Sequence, residues 1–461
     1  MRNLNIILIY IVILLLSAGC KNEFLDAKPS SKIIQPVTLE ELQSLLDNFQ
    51  NNTTIALGIL GSDDYEYQND ELWRAAGTAT ERNSYIWAKD LFQGENFGDW
   101  DLPYRAILYS NNVLSGLDKI NPENLNSNKW NETKGWALFT RANSFYNLVR
   151  NFAPAYDPNT SKVDLGIPLR LKPSIDEILP RSSVAETYER ILLDLTEATK
   201  LLSPDLPENN RNRPSKISCH ALLARIYLNM RDYKNAELHA DSSLKLYNKL
   251  LDYNTVNTGR TYRMDIKNEQ LIYNATSHGS YVAYATIANN TQTKVAADLI
   301  SYYSPNDLRL LIYFVKQTDG TYDIKRGYLG NIGIAPFVGI ANDEIYLIKA
   351  ECAARRDDRV TALNYLTSLL VNGYVRGTFI PLEAITSVEA LNMILLERRK
   401  ELVSRALRWD DLKRLNKEGR NITLSRTVNG QTYTLSPNSP RYVFPIPDNE
   451  IRLSGIQQNQ R

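Results

Sequence analysis

The chain has little of what metal and redox chemistry needs. It holds three cysteines and three histidines in 461 residues. That rules out a disulfide framework of the small secreted kind and leaves no spaced Cys/His set of zinc-ligand type. Charge of one sign is also missing, since 53 basic side chains face 52 acidic ones and the net charge is +1. A balance like that produces no long-range field for nucleic acid, and no basic arm or Lys/Arg-rich block appears. No Gly-rich phosphate loop is present, and His220, His239 and His278 stand far apart in sequence, where a packed or surface imidazole is the default. The one long apolar run is Ile6 to Leu16, too short to span a bilayer comfortably. What the chain does have is tyrosine, at 27 residues against 11 Phe and 6 Trp. Tyrosine combines an apolar face with a polar tip, which suits a wet binding surface.

The first residues read MRNLNIILIYIVILLLSAGC, a charged start, an apolar stretch and small residues. This is the pattern of a secretory signal. Its ending Ser17-Ala18-Gly19-Cys20 resembles a bacterial lipobox, with Ser17 where Leu is more usual. On that reading residues 1–19 are removed, Cys20 carries lipid, and residues 20–37 form a charged tether that anchors the protein to a membrane without embedding it. Cys219 and Cys352 fall in helical apolar patterns and read as small core residues.

Helical periodicity dominates the rest. Leu39 to Phe49 is amphipathic, with Thr38 and Glu41 spaced as a capping box, and Ser183 with Glu186 starts a helix from Val184 to Leu202 in the same way. Trp100 to Ile120 and Lys134 to Ala153 are further helices. The stretch 214–251 organises the chain. Ala221, Leu223, Ala224, Tyr227 and Leu228 share one face; Arg231-Asp232-Tyr233 breaks the run; Ala236, Ala240, Leu244 and Tyr247 resume it. Small residues facing one another let two helix axes approach closely, so the pair resembles a tetratricopeptide unit. Asn342 to Ala354 with Val360 to Asn372 is a second such pair. One unit cannot bury its apolar face alone. The two are not in tandem, so the expected fold is mainly α, a curved scaffold of helix pairs (near 134–251 and 342–372) with a largely irregular insertion, 252–341, packed on it. Val388 to Asn416 carries charges at helical spacing that support a long salt-bridged helix. Tyr442 to Leu453 alternates Phe444 and Ile446 with Pro445 and Pro447, an extended plug.

Two aromatic stretches lie outside the helix pairs. Trp73, Tyr85 and Trp87, with Asp64 and Tyr67, form the first. Tyr281, Tyr284, Asn289, Tyr302 and Tyr303 form the second. Tryptophan and tyrosine faces stack on sugar C–H faces while Asp and Asn take hydroxyls. Aromatics are also core residues more often than ligands, so both readings stand at this point. Asp63, Asp64 and Glu66 sit in one short stretch. A glycosidase needs two carboxyls about 5–10 Å apart across a cleft, which adjacency does not supply.

Several of these stretches together resemble the SusD/RagB family of outer-membrane nutrient-binding lipoproteins of the Bacteroidetes type. They are the lipobox followed by Phe24-Leu25-Asp26 and Pro29; Trp100 to Asn112; Gly135 to Phe152; Gly166-Ile167-Pro168-Leu169; Pro180-Arg181-Ser182-Ser183 with Tyr188 and Ile191; and the Ala221 to Ala240 pair. The most specific are Glu397-Arg398-Arg399-Lys400-Glu401-Leu402, Arg408-Trp409-Asp410-Asp411-Leu412-Lys413-Arg414, and Phe444-Pro445-Ile446-Pro447 with Glu450-Ile451. Ser404-Arg405 stands where the family usually has Glu-Gly, which implies altered local packing. The resemblance implies one domain over residues 38–461, closed by motifs within 388–453. It implies a lipid-anchored, cell-surface protein that captures an oligosaccharide, less often a peptide, without catalysis or cofactor, and delivers it to a SusC-like TonB-dependent transporter. The rival reading is a tetratricopeptide scaffold that holds protein partners.

Overall fold

The computed structural model describes residues 36, 38–48, 53–54, 56–95, 98–120, 127–259, 264, 267–277, 292–324 and 336–461. The signal, Cys20 and most of the tether, together with Tyr281, Tyr284, Asn289 and His278, lie outside the described residues.

Local signals set the helix starts. Thr38 caps α1 (Leu39–Leu46) and Ser183 caps α7 (Val184–Leu201), each with the reciprocal glutamate bond of a capping box. Between these two helices run α2 (Leu57–Gly61), α3 (Asp70–Arg74), α4 (Ala79–Tyr85), α5 (Gly98–Leu117) and α6 (Ser127–Phe152). The first helix pair is α8 (Lys216–Met230) and α9 (Tyr233–Leu246). Arg231 closes α8 in the left-handed conformation, and Asp232 caps α9 by accepting from the Asn235 amide. After α10 (Ala297–Ser301) and α11 (Arg309–Tyr313) comes the second pair, α12 (Asn342–Arg355) and α13 (Arg359–Leu370). The pairs stack directly, α9 against α12, so the insertion between them does not separate their cores. The fold is mainly α, as the periodicity indicates.

The single long helix expected over 388–416 is in fact two, α14 (Ser387–Glu401) and α15 (Arg408–Lys417). Ser404 and Ala406 between them adopt positive φ. Arg405, buried at this break, donates two bonds of 2.8 and 2.9 Å to the Asp343 carboxylate on α12. A long-range ion pair thus overrides the local helical charge pattern, and the Ser404-Arg405 departure is where it happens. The charges of both helices are largely internal. Arg398 pairs with Asp411, Arg414 with Glu351, and Arg309 with Asp307, Glu397 and Glu401. A short helix, α16 (Asp448–Ser454), precedes the tail.

Strands are short and join distant parts of the sequence. They are β1 (Thr53–Thr54), β2 (Tyr65–Tyr67), β3 (Leu271–Tyr273), β4 (Thr276–Ser277), β5 (Thr293–Val295), β6 (Phe314–Lys316), β7 (Tyr322–Ile324), β8 (Ile340–Ala341), β9 (Leu424–Val428) and β10 (Gln431–Leu435). β1 pairs in parallel with β4, and β2 antiparallel with β5. The insertion is therefore stitched to the N-terminal region at two points.

The C-terminal segments pack into the core against α2 and α6. Trp409 on α15 is fully buried, stacks on Phe444 at 5.2 Å between ring centres, and donates to the Tyr442 carbonyl. Its indole lies so close to α2 that a Cβ on Gly61 would come 2.9 Å from the ring; glycine is what permits the approach. The Phe444 amide donates to the Asn151 carbonyl of α6, and Asn459 donates to Phe152 and Phe444 carbonyls.

Candidate glycan-binding face

The antiparallel register of β2 and β5 sets Tyr65 opposite Val295 and Tyr67 opposite Thr293. The stretch carrying Asp64 and Tyr67 is thereby held beside the stretch that leads to Tyr302 and Tyr303. The segment 278–291 leaves from β4 and returns at β5, and Gln292 at its end donates to the Ala75 carbonyl two residues past Trp73. Parts of the chain more than 200 positions apart, Tyr65–Tyr67 and Thr293–Val295, are thus brought together.

Within this region the aromatic residues divide. Tyr65, Tyr67 and Tyr85 pack edge-on, with Tyr67 and Tyr85 ring centres 4.8 Å apart. Arg426 of β9 lies over Tyr85 at 3.9 Å and Trp87 at 4.8 Å, and donates to the Tyr85 and Ser62 carbonyls. Trp87 is 1% exposed, and its indole N–H donates to the Gly61 carbonyl at 2.9 Å. Tyr303 is buried too, its hydroxyl donating to the Lys400 carbonyl. Trp87, Tyr85 and Tyr303 therefore have no open face for a sugar ring in this conformation, which corrects the expectation that they contact ligand: their neighbours on both sides are protein. Trp73 is half-buried, its indole donating to the Arg82 carbonyl, and Tyr302 is 43% exposed. Tyr67 is buried, yet its hydroxyl has no hydrogen-bond partner among the described residues.

The carboxylates of the first stretch are held by arginine. Asp63 takes two bonds from Arg408, at 2.7 and 2.8 Å, and lies 3.3 Å from Arg399. Burial works to raise its pKa, but the two guanidinium groups outweigh it and hold the carboxyl well below the usual range. Asp64, 3% exposed, is pushed up to about 6 by burial and by the adjacent Asp63 charge, against the pull of Arg399 at 3.8 Å. Asp64 therefore belongs to an internal ion cluster and not to an open sugar-binding rim, a second correction to the expected site.

Two features escaped sequence reasoning. A cavity of about 360 Å³ opens between the α6–α7 connection, α15 and the C-terminal tail, lined among others by Lys417, Asn438, Gln457 and Gln460. The amide-rich run Gln457-Gln458-Asn459-Gln460 was its visible signal. His220 and His239, separate in sequence, lie in ring contact.

Comparison with known proteins agrees with this architecture. The family described as starch-binding, associating with the outer membrane (SusD-like), matches residues 23–228, and the SusD family matches residues 343–460. SusD-like protein P2 of Formosa agariphila is 31% identical over 163 residues, and the chain spans 29% of the length of that relative. Among solved structures, a SusD superfamily protein from Bacteroides thetaiotaomicron is similar with a TM-score of 0.74 at 21% identity, covering 92% of this chain and 100% of that one. A SusD-like carbohydrate binding protein from Bacteroides vulgatus gives 0.67 at 19% identity, covering 91% and 97%. A laminarin binding SusD-like protein gives 0.64 at 17%, also covering 91% and 97%. With both ends of the chain matched and the same helical fold along nearly its whole length, the protein belongs to the SusD/RagB family.

Proposed function

We propose that the chain is a cell-surface lipoprotein, anchored through Cys20, that captures an oligosaccharide non-covalently and passes it to a TonB-dependent outer-membrane transporter. The observation that supports this reading is the β2–β5 pairing, which holds the strand carrying Tyr67 beside the strand that leads to Tyr302. On this reading Trp73 and Tyr302, the accessible rings of the two stretches, stack on the ligand, while Tyr67 is buried behind them. Tyr281, Tyr284 and Asn289, outside the described residues, belong to the second aromatic stretch and are proposed ligand contacts on the same reading. Trp87, Tyr85 and Tyr303 support this face from within, and Asp63 and Asp64 stay bound to arginine instead of acting as an acid/base pair. Carbohydrate recognition by relatives, among them the laminarin binding SusD-like protein, supports the ligand class.

Calorimetric titration of the chain from residue 21 onward, with plant, host and microbial oligosaccharides and a peptide digest, tests the reading. Saturable heat with one glycan class, lost in Trp73→Ala, supports it. Heat from peptides alone moves the substrate class. Exposed Val360, Ile380 and Ile385 around the second helix pair favour a second reading, a scaffold for protein partners. Silence across all ligands, with no transporter recovered on the intact lipoprotein, would favour that scaffold.

A further inference from the structure

His220 on α8 and His239 on α9 face each other across the first helix pair. Their Nδ1 atoms are 3.0 Å apart, their ring centres 5.3 Å, and their planes meet at 32°. Tyr227 stacks on a face of His239 at 5.4 Å and 3°, leaving the Nδ1 edge of that ring to His220. Both histidines are partly exposed, so ions in solution can reach them. Two neutral imidazole nitrogens this close share one hydrogen: one donates, and the lone pair of the other is aimed at it.

An ion that binds imidazole can take the place of that hydrogen. Zinc holds nitrogen at about 2.05 Å, and an imidazole centre lies about 1.15 Å beyond its nitrogen; at a tetrahedral angle this sets the ring centres about 5.2 Å and the nitrogens about 3.3 Å apart. The rings already stand at that separation, so the ion requires them to tilt in place and does not require the helices to part. A right-angled arrangement, as copper(II) prefers, brings the centres to about 4.5 Å and fits less well. The donor ring moves its proton from Nδ1 to Nε2, so no net proton is released. We propose that His220 and His239 form a two-point zinc site that cross-links α8 and α9, with water completing the coordination. Among the described residues no cluster of three His, Cys, Asp or Glu side chains assembles there, and the Lys216 charge acts on His220. Both facts make the site weak and exchangeable, unlike a zinc on which folding depends.

The test uses the full chain in detergent, stripped with a chelator, desalted and titrated with zinc chloride by calorimetry, with thermal melting in parallel. One saturable site and a higher Tm with zinc are expected. His220→Ala and His239→Ala should each weaken binding by more than about tenfold and abolish the Tm rise. His278→Ala, altering the remaining histidine of the sequence, should do neither. If an alanine variant fails to fold, His220→Asn keeps a polar partner for His239 while removing the ligand, and it too should lose zinc. No saturable heat, binding of equal strength in the His220 and His239 variants, or equal binding of magnesium would overturn the proposal.

Discussion

Replacing Glu351 and Arg414 one at a time and then together isolates what holds the C-terminal helices to the scaffold. Arg414 meets Glu351 through two bonds, at 2.5 and 2.8 Å, with both side chains at most 1% exposed. Each also has a second partner that keeps another: Arg355 bonds Glu351 and Glu418, and Asp411 bonds Arg414 and Arg398. Glu351→Met leaves the Arg414 charge buried without its main partner, and Arg414→Met does the same to Glu351; each should cost about 3–5 kcal/mol. The double replacement strands no charge, since Arg355 keeps Glu418 and Asp411 keeps Arg398. Its loss should therefore fall well short of the sum, by about 2–3 kcal/mol or more of coupling. Urea unfolding followed by circular dichroism measures all four proteins. Additive losses would refute the reasoning, because they would mean that the pair contributes through separate packing and not through mutual charge compensation. The same contact predicts the acid limb. Burial works to raise Glu351, but Arg414 and Arg355 outweigh it and bring the carboxyl from 4.5 to about 2. A carboxylate depressed by folding stabilises the native state above its unfolded value and loses that contribution as pH falls, here between about 4.5 and 2. At about 1.4 kcal/mol per pH unit this amounts to about 3 kcal/mol in wild type.

Three further outcomes follow from the geometry. Glu351→Gln should flatten that acid limb, seen as a smaller drop in unfolding free energy between pH 5 and 3; an unchanged slope would assign the loss to other carboxylates. Gly166→Ala would place a Cβ 2.4 Å from Thr187 Oγ1 and 2.6 Å from the Ser183 carbonyl. The clash is with backbone at the cap of α7, so a loss of about 1–3 kcal/mol is expected in urea melts, and a wild-type midpoint would contradict the crowding. Trp87→Ala should cost about 3–5 kcal/mol as a core truncation, whereas Tyr302→Ala should stay within about 0.5 kcal/mol of wild type while weakening glycan binding. A stable Trp87→Ala protein that loses ligand would return that indole to the binding face.

Sequence legibility tracked how local each cause is. Thr38 with Glu41 and Ser183 with Glu186 are bonds between residues three apart, so both helix starts could be read directly. The alanine faces of the first helix pair could be read for the same reason. The break between α14 and α15 could not, because Asp343, which holds Arg405 there, is 62 positions away. Nor could the fate of Trp87, which Arg426 covers from a hairpin near the other end of the chain. Aromatic composition identifies the stretches that matter, but it does not tell a ring that faces ligand from one that props it up. That distinction is made by contacts between residues hundreds of positions apart.

The seating of Trp409 between α2 and Phe444 has a consequence for the order in which the protein can mature. The pocket formed by Gly58 and Gly61 stays empty until residue 409 has been made, and the α6 carbonyls at Asn151 and Phe152 wait for residues 444 and 459. A nascent chain that ends before residue 409 cannot close its own core. On the proposed reading, in which residues 1–19 direct export, this is an advantage: the chain stays threadable while it is being moved, and it becomes a folded body only when its final segment has crossed with the rest.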